Sequence, residues 1–325
     1  MNELRPKRVL DYSVVLLNLG GPATLADIRP FLVNLFSDRD IIKLPGGPLL
    51  QRPLANFIAW RRAPKVAPHY EAIGGGSPIL GFTNAQARAL ERRLARPCFV
   101  GMRYSPPTIE RALQGAAERE AEEIVALPLF PHYSRATTGS VFNELQRAWA
   151  RLGLPLRMRR VESYHDHPAY LAALAETIAE ALQAFSPAER PYAHVIFSAH
   201  SLPVSFIEEG DPYLRQLEAT IKGLEALIAL PPWHLAFQSR SGPVRWLEPS
   251  TEATLRRLLA QRVRHLVMVP ISFVSDHFET LYEMDILYRR QAEAAGATLV
   301  RTQALNDRPR FIECLARLVE DARKR

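Results

Sequence analysis

Cysteine is almost absent from this sequence. The 325 residues include two cysteines, Cys98 and Cys314, which lie far apart and form no CxxC pair. Two isolated thiols argue against a disulfide scaffold, a structural zinc site and a cysteine-ligated iron–sulfur cluster. We therefore expect a protein of a reducing compartment, the cytoplasm.

Long apolar runs and nucleotide-binding glycine patterns are missing as well. The apolar run that ends at Asn18 is too short for the core of a signal peptide or for a membrane span, and it predicts a first β-strand. The glycine-containing segments NLGGP, GGGSP and SRATTGS match neither GxGxxG nor GxxxxGK(S/T). We expect no nucleotide cofactor.

Acidic residues are outnumbered. The chain has 41 Lys and Arg against 34 Asp and Glu, a net charge of +7. This balance favours nucleic acid, an anionic membrane surface or a carboxylated small molecule as a partner. The basic residues are spread over many amphipathic segments and match no nucleic-acid motif, so we expect no nucleic acid partner. Membrane contact is expected to be peripheral at most, at the inner membrane surface.

What the sequence does contain is a regular alternation. Short β-branched runs alternate with longer segments of helical period, which is typical of βα units. The pattern predicts an α/β fold of two similar Rossmann-like domains, each with a four-stranded parallel sheet flanked by helices. We assign residues 1–161 and 162–306 to the two domains and 307–325 to a final helix that packs back on either domain. The predicted strands are Ser13–Asn18, Cys98–Arg103, Glu123–Leu129, Leu156–Val161, His194–Ser198, His234–Gln238, His265–Val269 and Thr298–Arg301.

Residues 41–79 interrupt the alternation. They contain three consecutive glycines and many apolar residues without a clean period. A long, apolar, partly irregular insertion in such a domain favours a ligand wall or a membrane-facing lip over an idle loop. A plain packed insertion is the alternative.

Polar residues follow two of the predicted strands, where open α/β sheets bind ligands. His200 follows the apolar run of HVIFSAHSLP, although a lone histidine there is also compatible with a structural role. In SDHFETLYEMD, Asp276 and Glu279 have the spacing of a capping box, whereas Glu279 and Glu283 are like charges one turn apart. Carboxylates in a line with imidazole suit Fe²⁺, Mn²⁺ or Zn²⁺. We predict a cation path along these side chains.

Several segments, taken together and in order, resemble the signatures of the ferrochelatase family over nearly the whole chain. They are NLGGP, YEAIGGGSPI, GMRYSPP, LPLFPHYSRATTGS, SAHSLP, QSRSGPVRWLEPST and ISFVSDHFETLYEMD. The resemblance implies a lyase of haem biosynthesis that inserts Fe²⁺ into protoporphyrin IX, forms protohaem and releases two protons. Its partners would be the porphyrin and ferrous iron, with no tightly bound cofactor.

The resemblance also implies roles for individual residues. His200 would bind metal or accept pyrrole protons, and Glu279 would face it across a cleft between the two domains. The implied metal-binding residues are His200, Glu279, Glu283, His277 and Asp276. The implied porphyrin-binding residues are Leu19, Arg61, Arg62, Ser77, Arg103, Tyr104, Tyr133, Ser134 and Trp246. Of these, Arg61, Arg62 and Ser77 would hold the propionates.

The sequence departs from the family pattern at three points. Many relatives have a further acidic residue one turn beyond the position of Glu283, where this sequence has Leu287. This puts an outer metal-binding site on that helix in doubt. Leu19 stands where relatives often have Met or Tyr. Cys314 stands alone near the C-terminus, so we predict no iron–sulfur cluster.

Other functions remain open at this stage. A chelatase of the same fold could use coproporphyrin, or cobalt or nickel with sirohydrochlorin; two propionate-binding arginines and an apolar lip favour a dicarboxylate. A non-catalytic porphyrin or haem carrier would need the cleft but not Glu279 and Glu283. A nucleotide-dependent oxidoreductase lacks its fingerprint. The oligomeric state is left open.

Overall fold

The computed structural model describes residues 11–119, 121–240 and 242–324. These residues form two four-stranded parallel sheets with helices on their faces. The predicted α/β fold with two similar Rossmann-like halves is confirmed. Residues 1–10 of the predicted first domain, Ser241 of the QSRSGP segment and Arg325 of the predicted last helix lie outside the described residues.

The first sheet has the strand order β2-β1-β3-β4. Its central strands β1 and β3 are buried along their whole length, as expected for parallel strands covered on both faces. The elements of this half are β1 (Ser13–Asn18), α1 (Ile28–Ser37), α2 (Gly47–Glu71), α3 (Ile79–Leu94), β2 (Cys98–Met102), α4 (Ile109–Ala117), β3 (Glu123–Pro128), a π-helical turn (Arg135–Gly139), α5 (Ser140–Leu152) and β4 (Arg157–Arg160).

The second sheet repeats this layout with the order β6-β5-β7-β8. Because β5 and β7 are parallel neighbours, the residues that follow them lie next to each other at the carboxyl edge of the sheet. The elements are α6 (Pro168–Leu182), β5 (His194–His200), α7 (Val204–Glu208), α8 (Tyr213–Glu225), β6 (Trp233–Gln238), α9 (Thr251–Ala260), β7 (His265–Val269), a π-helix (Glu279–Tyr288), α10 (Arg289–Ala294), β8 (Thr298–Arg301) and α11 (Pro309–Lys324).

The last helix joins the two halves. It packs on α3 of the first half and on α6 at the start of the second. Arg323 near its end lies over the ring of Tyr12, 3.9 Å from the centroid, and its Nε lies 3.2 Å from a carboxylate oxygen of Glu123 in β3. The C-terminal segment therefore closes the chain back onto the first sheet.

Residues 41–79 differ from the irregular insertion predicted above, because α2 is one continuous helix of 25 residues despite three internal prolines. Its buried face carries Gln51, Ala55 and Ala59 and packs on α1. Its large apolar side chains point outward: Leu49, Leu50, Phe57 and Trp60 are exposed. An ordinary surface helix buries its large apolar residues, whereas α2 buries small residues and exposes large apolar ones. The helical period is therefore not visible in the hydrophobic pattern of the sequence. Among the helices of the described residues, none is long and apolar enough to cross a membrane.

A buried histidine links the two halves. His132, in the loop after β3, is 2 % exposed, and its Nε2 lies 2.9 Å from Oγ1 of Thr220 in α8. Tyr170 and Tyr213 pack edge-on against its ring. Burial, together with the charge of His165, lowers the pKa of His132 to about 3. The imidazole is therefore neutral in the folded protein at neutral pH.

We expect His132 to make the fold acid-sensitive. Its pKa is 6.5 when unperturbed and about 3 when folded, so below pH 6.5 the unfolded chain binds a proton that the folded chain does not. The stabilisation is fully present above pH 6.5 and is lost at about 1.4 kcal/mol per pH unit as the pH falls toward 3. Urea unfolding of the native chain and of His132→Gln, which keeps an amide near Thr220, measures this slope. An unchanged slope in the variant would assign the acid sensitivity to other groups.

Candidate active site

His200 is the last residue of β5, at the carboxyl edge of the second sheet. Its backbone is held on both sides: its N–H donates to Ser272 Oγ at 3.0 Å, and its carbonyl accepts from the hydroxyl of Tyr213 at 3.1 Å. The side chain is 40 % exposed. A rigid backbone therefore presents a partly open imidazole at the edge of the sheet.

Glu279 lies directly beside this imidazole. Its Oε1 is 3.3 Å from Nδ1 of His200, and its Oε2 is hydrogen-bonded to Nε2 of His277. The ring of His277 is itself held by Nδ1, which lies 2.9 Å from the carbonyl oxygen of Ser275. We expected Glu279 to face His200 across the cleft between the halves. That expectation is corrected, because both residues follow neighbouring strands of the second sheet and touch.

The hydrogen bonds define where protons lie in this group. The Ser275 carbonyl can only accept, so His277 carries a hydrogen on Nδ1. Its Nε2 meets a carboxylate oxygen of Glu279, and two bare acceptors would repel, so a proton lies between them. The carboxylate likewise favours a hydrogen on Nδ1 of His200. Nε2 of His200 is then the nitrogen that can accept a proton from a ligand.

Glu283 lies further along the π-helix that Glu279 begins. In a π-helix the hydrogen bonds join residues five apart, so side chains four apart stay on one side. The Glu283 carboxylate accepts from the hydroxyl of Ser239, with oxygens at 2.9 and 3.1 Å. Ser239, which has a φ of +64° after β6, was not singled out from the sequence. A serine in a polar loop gives no local sign of such a partner.

Burial and charge shift the pKa values of this group in different directions. Burial opposes protonation of His200, but Glu279 and, more weakly, Glu283 raise its pKa above the usual value. Burial also opposes ionisation of Glu279, yet His277 and His200 hold its pKa well below the usual range. Burial and the negative charge of Glu279 raise the pKa of Glu283 to about 7. The two carboxylates therefore differ strongly in acidity, as acid–base pairs in active sites do.

Asp276 belongs to a different set of contacts from His200. Its carboxylate accepts from Arg301 at 2.9 Å, from Thr280 at 3.0 Å and from the side chain of Asn306 at 2.9 Å. The capping-box spacing of Asp276 and Glu279 is therefore not used, since imidazoles hold Glu279. Within the described residues no group of three or more His, Cys, Asp and Glu side chains is arranged to hold a metal ion. Metal binding by the five residues named above stays a prediction.

Trp246 lies beside the segment that follows His200. An antiparallel bridge pairs it with Pro203, and backbone hydrogen bonds flank that bridge on both sides. The residue is half-buried, and its indole N–H has no hydrogen-bond partner among the described residues. The backbone thus holds Trp246 against residues 202–204, the segment that follows His200.

The first half contributes the loops after β1 and before α3. These glycine-rich segments pack together: Ser77 N–H donates to the carbonyl of Pro22 at 2.7 Å, and a Cβ on Gly76 would lie 2.1 Å from the carbonyl oxygen of Ala23. Only glycine permits this approach. Leu19 and Ser77 are half-buried at this junction, where both can line a ligand site.

Arg103 and Tyr104 were predicted to line the macrocycle, and this contact stays a prediction. Tyr104 is 1 % exposed, and its hydroxyl donates to Asp38 at 2.7 Å. Arg103 binds the same carboxylate at 2.8 Å, and Ser140 also donates to it. Asp38 was missed because nothing near it in sequence marks it; its side-chain partners are 65 to 102 residues away.

Ser134 is also buried, and its contact with the porphyrin stays a prediction. Its hydroxyl donates to Asp211 at 2.9 Å, and the N–H of Arg135 donates to the same carboxylate at 2.8 Å. Tyr133 is half-buried, and its N–H donates to Gln216 at 2.6 Å. This loop of the first half is thus tied to the second half, and Tyr133 in it stays partly exposed.

The predicted propionate-binding arginines lie on α2. Arg61 is exposed, whereas Arg62 is half-buried, with its guanidinium 5.5 Å from the centroid of the Phe36 ring. The end of the same helix reaches the π-helix: His69 stacks on Tyr282 at 4.3 Å, and Tyr70 packs on Phe278 at 4.7 Å. Helix α2 therefore borders the region of Glu279.

Similar folds occur in two solved chelatase structures. SirB from Bacillus subtilis with Fe³⁺ superposes with a TM-score of 0.59 at 11% identity, covering 96% of both chains. The sirohydrochlorin chelatase SirB in complex with cobalt has a TM-score of 0.53 at 14% identity and covers 74% of this chain and 89% of that one. At such identities the likeness concerns the fold alone.

Sequence relatives are much closer. The ferrochelatase of Geobacter metallireducens is 51% identical over 95% of this chain and 98% of its own length, and that of Geotalea daltonii is 49% identical over 96% and 98%. The ferrochelatase of Synechocystis is 46% identical over 95% of this chain and 82% of its own. A family model described as Ferrochelatase matches residues 11–323. Since both comparisons span nearly the whole sequence, the chain belongs to the ferrochelatase family, the metal-inserting lyases of haem biosynthesis.

Proposed function

We propose that this protein inserts Fe²⁺ into protoporphyrin IX, forms protohaem and releases two protons, with His200 and Glu279 as its catalytic residues. The observation that carries the proposal is the connected group His200–Glu279–His277 at the carboxyl edge of the second sheet. It combines a partly open imidazole with a half-buried carboxylate. A carrier needs neither, because binding a porphyrin requires no proton acceptor.

Metal insertion replaces two pyrrole N–H protons by one Fe²⁺. Nε2 of His200, the ring nitrogen turned away from Glu279, accepts a pyrrole proton, and the Glu279 carboxylate stabilises the imidazolium that forms. Ferrous iron enters along Glu283 and Glu279 and exchanges carboxylate oxygens for ring nitrogens. The second proton leaves to solvent through the exposed part of the cleft.

Porphyrin binding requires a flat apolar surface for the macrocycle and positively charged groups for its two propionates. Trp246, held beside the segment that follows His200, supplies an aromatic face, and Leu19 supplies an apolar contact from the first half. Arg61 and Arg62 on α2 supply guanidinium groups, with Ser77 as a hydroxyl donor. Two arginines match two carboxylates, which favours a dicarboxylate over more acidic tetrapyrroles.

The substrate is tested by an anaerobic assay. Purified protein is mixed with Fe²⁺ and either protoporphyrin IX or coproporphyrin, and the loss of free-porphyrin fluorescence is followed. Rapid loss with protoporphyrin alone supports the proposal, and rapid loss with coproporphyrin alone makes this a coproporphyrin ferrochelatase. Tight binding of both without metallation would establish a carrier instead. Parallel assays with Co²⁺ and Ni²⁺ measure the metal preference.

We also propose that the outer face of α2 contacts an anionic membrane surface, which would place the protein at the inner face of the cytoplasmic membrane. Leu49 is 90 % exposed, and Leu50, Phe57 and Trp60 are exposed on the same helix. Exposed arginines and a lysine lie among them. Large apolar side chains with basic neighbours bind lipid interfaces through buried apolar area and attraction to anionic headgroups.

Charge introduced into this face is expected to release the protein from membranes. In Leu49→Glu and Trp60→Glu, binding to phosphatidylglycerol vesicles should weaken about tenfold, as measured by co-sedimentation. Tyr192→Glu is the matched control, since Tyr192 is also an exposed aromatic but lies in the second half. Equal binding of all variants, or equal loss in the control, contradicts the proposed membrane face.

A further inference from the structure

One buried glutamine joins the first half of the protein to the loop that precedes the π-helix. Gln86 lies on α3 and is fully buried. Its Nε2 donates to Oγ of Ser275 at 3.0 Å and to the backbone carbonyl of Asn306 at 2.9 Å. Both acceptors belong to the second half. The neutral, fully buried amide thus forms two hydrogen bonds that span the halves, and each depends on its exact geometry.

Asn306 holds the same loop from the other side. Its N–H donates to the carbonyl of Val274 at 2.8 Å, its Oδ1 accepts from the N–H of Asp276 at 2.9 Å, and its Nδ2 donates to the Asp276 carboxylate at 2.9 Å. Asn306 has a φ of +41°, a conformation that asparagine tolerates well. Gln86 and Asn306 therefore fix residues 274–276 between them.

The loop controls the orientation of His277. The carbonyl of Ser275 accepts from Nδ1 of His277, and Nε2 of the same ring meets Glu279, which contacts His200. A shift of the loop rotates the imidazole, and the carboxylate then loses one of its two partners. Misplacements of about 1 Å at such distances from the reacting atoms lower turnover strongly.

We propose that Gln86 is a positioning residue for metal insertion: through Ser275 and Asn306 it ties the first half of the protein to the imidazole of His277, and so sets the carboxylate of Glu279 against His200. The inference rests on the proposed function, because it assigns Gln86 to the same site. Contact between the halves thereby becomes a condition for a properly assembled site.

The test replaces Gln86 by methionine, which keeps the length of the side chain and removes both donors. We expect kcat for metal insertion to fall about tenfold with KM for the porphyrin unchanged, since no porphyrin contact is altered. The imidazole ¹⁵N and ¹H resonances of His277 should shift in the absence of substrate. Arg93→Met is the matched control: it removes another polar contact of α3, an exposed ion pair with Glu313, and should leave both readouts unchanged.

Ser275→Ala tests the route. It removes one acceptor of Gln86, so Gln86→Met added to it should lower kcat by less than it does in the native chain. A lower melting temperature with unchanged kcat would make Gln86 merely structural and overturn the proposal, as would a lower kcat with unshifted His277 resonances. If the native protein inserts no metal, the proposed function fails, while the His277 resonances still decide whether Gln86 orients this ring.

Discussion

Replacement of His200 by alanine is expected to abolish metal insertion and to leave porphyrin binding largely intact. The variant loses the imidazole whose Nε2 is available to a pyrrole proton, and general acid–base catalysis by such a group contributes about 10²- to 10⁴-fold. The fold should survive, because the backbone of His200 keeps its bonds to Ser272 and Tyr213. We expect kcat to fall about 10³-fold.

The measurement is a single-turnover assay of porphyrin metallation, combined with fluorescence titration of the porphyrin without metal. His194→Ala is the matched control, because His194 begins the same strand that His200 ends and bonds to His234 at the opposite edge of the sheet. If His200→Ala turns over like the native protein, His200 is not a catalytic residue. Loss of porphyrin affinity with normal turnover at saturation would make His200 a binding residue only.

The sheets could be predicted from the sequence almost to the residue, whereas α2 could not. Strands such as β1 and β7 lie in the interior, so each is recognisable as a short apolar run. Helix α2 instead buries alanines and exposes Leu49 and Trp60, and a hydrophobic pattern alone cannot distinguish this from an irregular segment. Its apolar surface was recognised, but its conformation was not.

The sequence could predict that His200 and Glu279 lie close together, because parallel strands present their carboxyl ends at one edge of the sheet. The sequence placed both residues in the second half, 162–306, but did not reveal that they touch. That depends on β5 and β7 being neighbours, which the pattern of runs does not specify. The sheet edge at which polar side chains gather is therefore easier to predict than the arrangement of those side chains.

Long-range polar partners could not be predicted from the sequence. Asp38 accepts a hydrogen bond from Tyr104, and Asp211 accepts one from Ser134. Asp276 does not form the capping box that its spacing suggested, because its carboxylate pairs with Arg301. The guanidinium offers this carboxylate a full positive charge, whereas a helix cap would offer it one backbone N–H. Each of these partners is remote in sequence, and a single sequence gives no measure of which polar residues meet.

Replacement of Glu279 by glutamine is the second large effect that we expect. The carboxylate lies between two imidazoles, 3.3 Å from Nδ1 of His200 and hydrogen-bonded to His277. A neutral amide of the same size cannot stabilise a positive charge on His200, so proton transfer from the porphyrin loses its electrostatic support. By analogy with the removal of one group that stabilises a transition state, kcat should fall about 10²-fold, with the porphyrin KM little changed.

Two further variants separate this effect from the loss of a charge as such. Glu283→Gln removes a carboxylate from the same π-helix that touches Ser239 and not an imidazole, and we expect a smaller loss, about tenfold. Glu293→Gln removes an exposed charge from α10 and should have no effect on kcat.

The pKa of His200, followed by its imidazole resonances, should fall in Glu279→Gln because the group that raises it most is gone. Full activity of Glu279→Gln together with a lowered His200 pKa would show that the pair is real but not catalytic, and would shift the acid–base role to another group in the cleft.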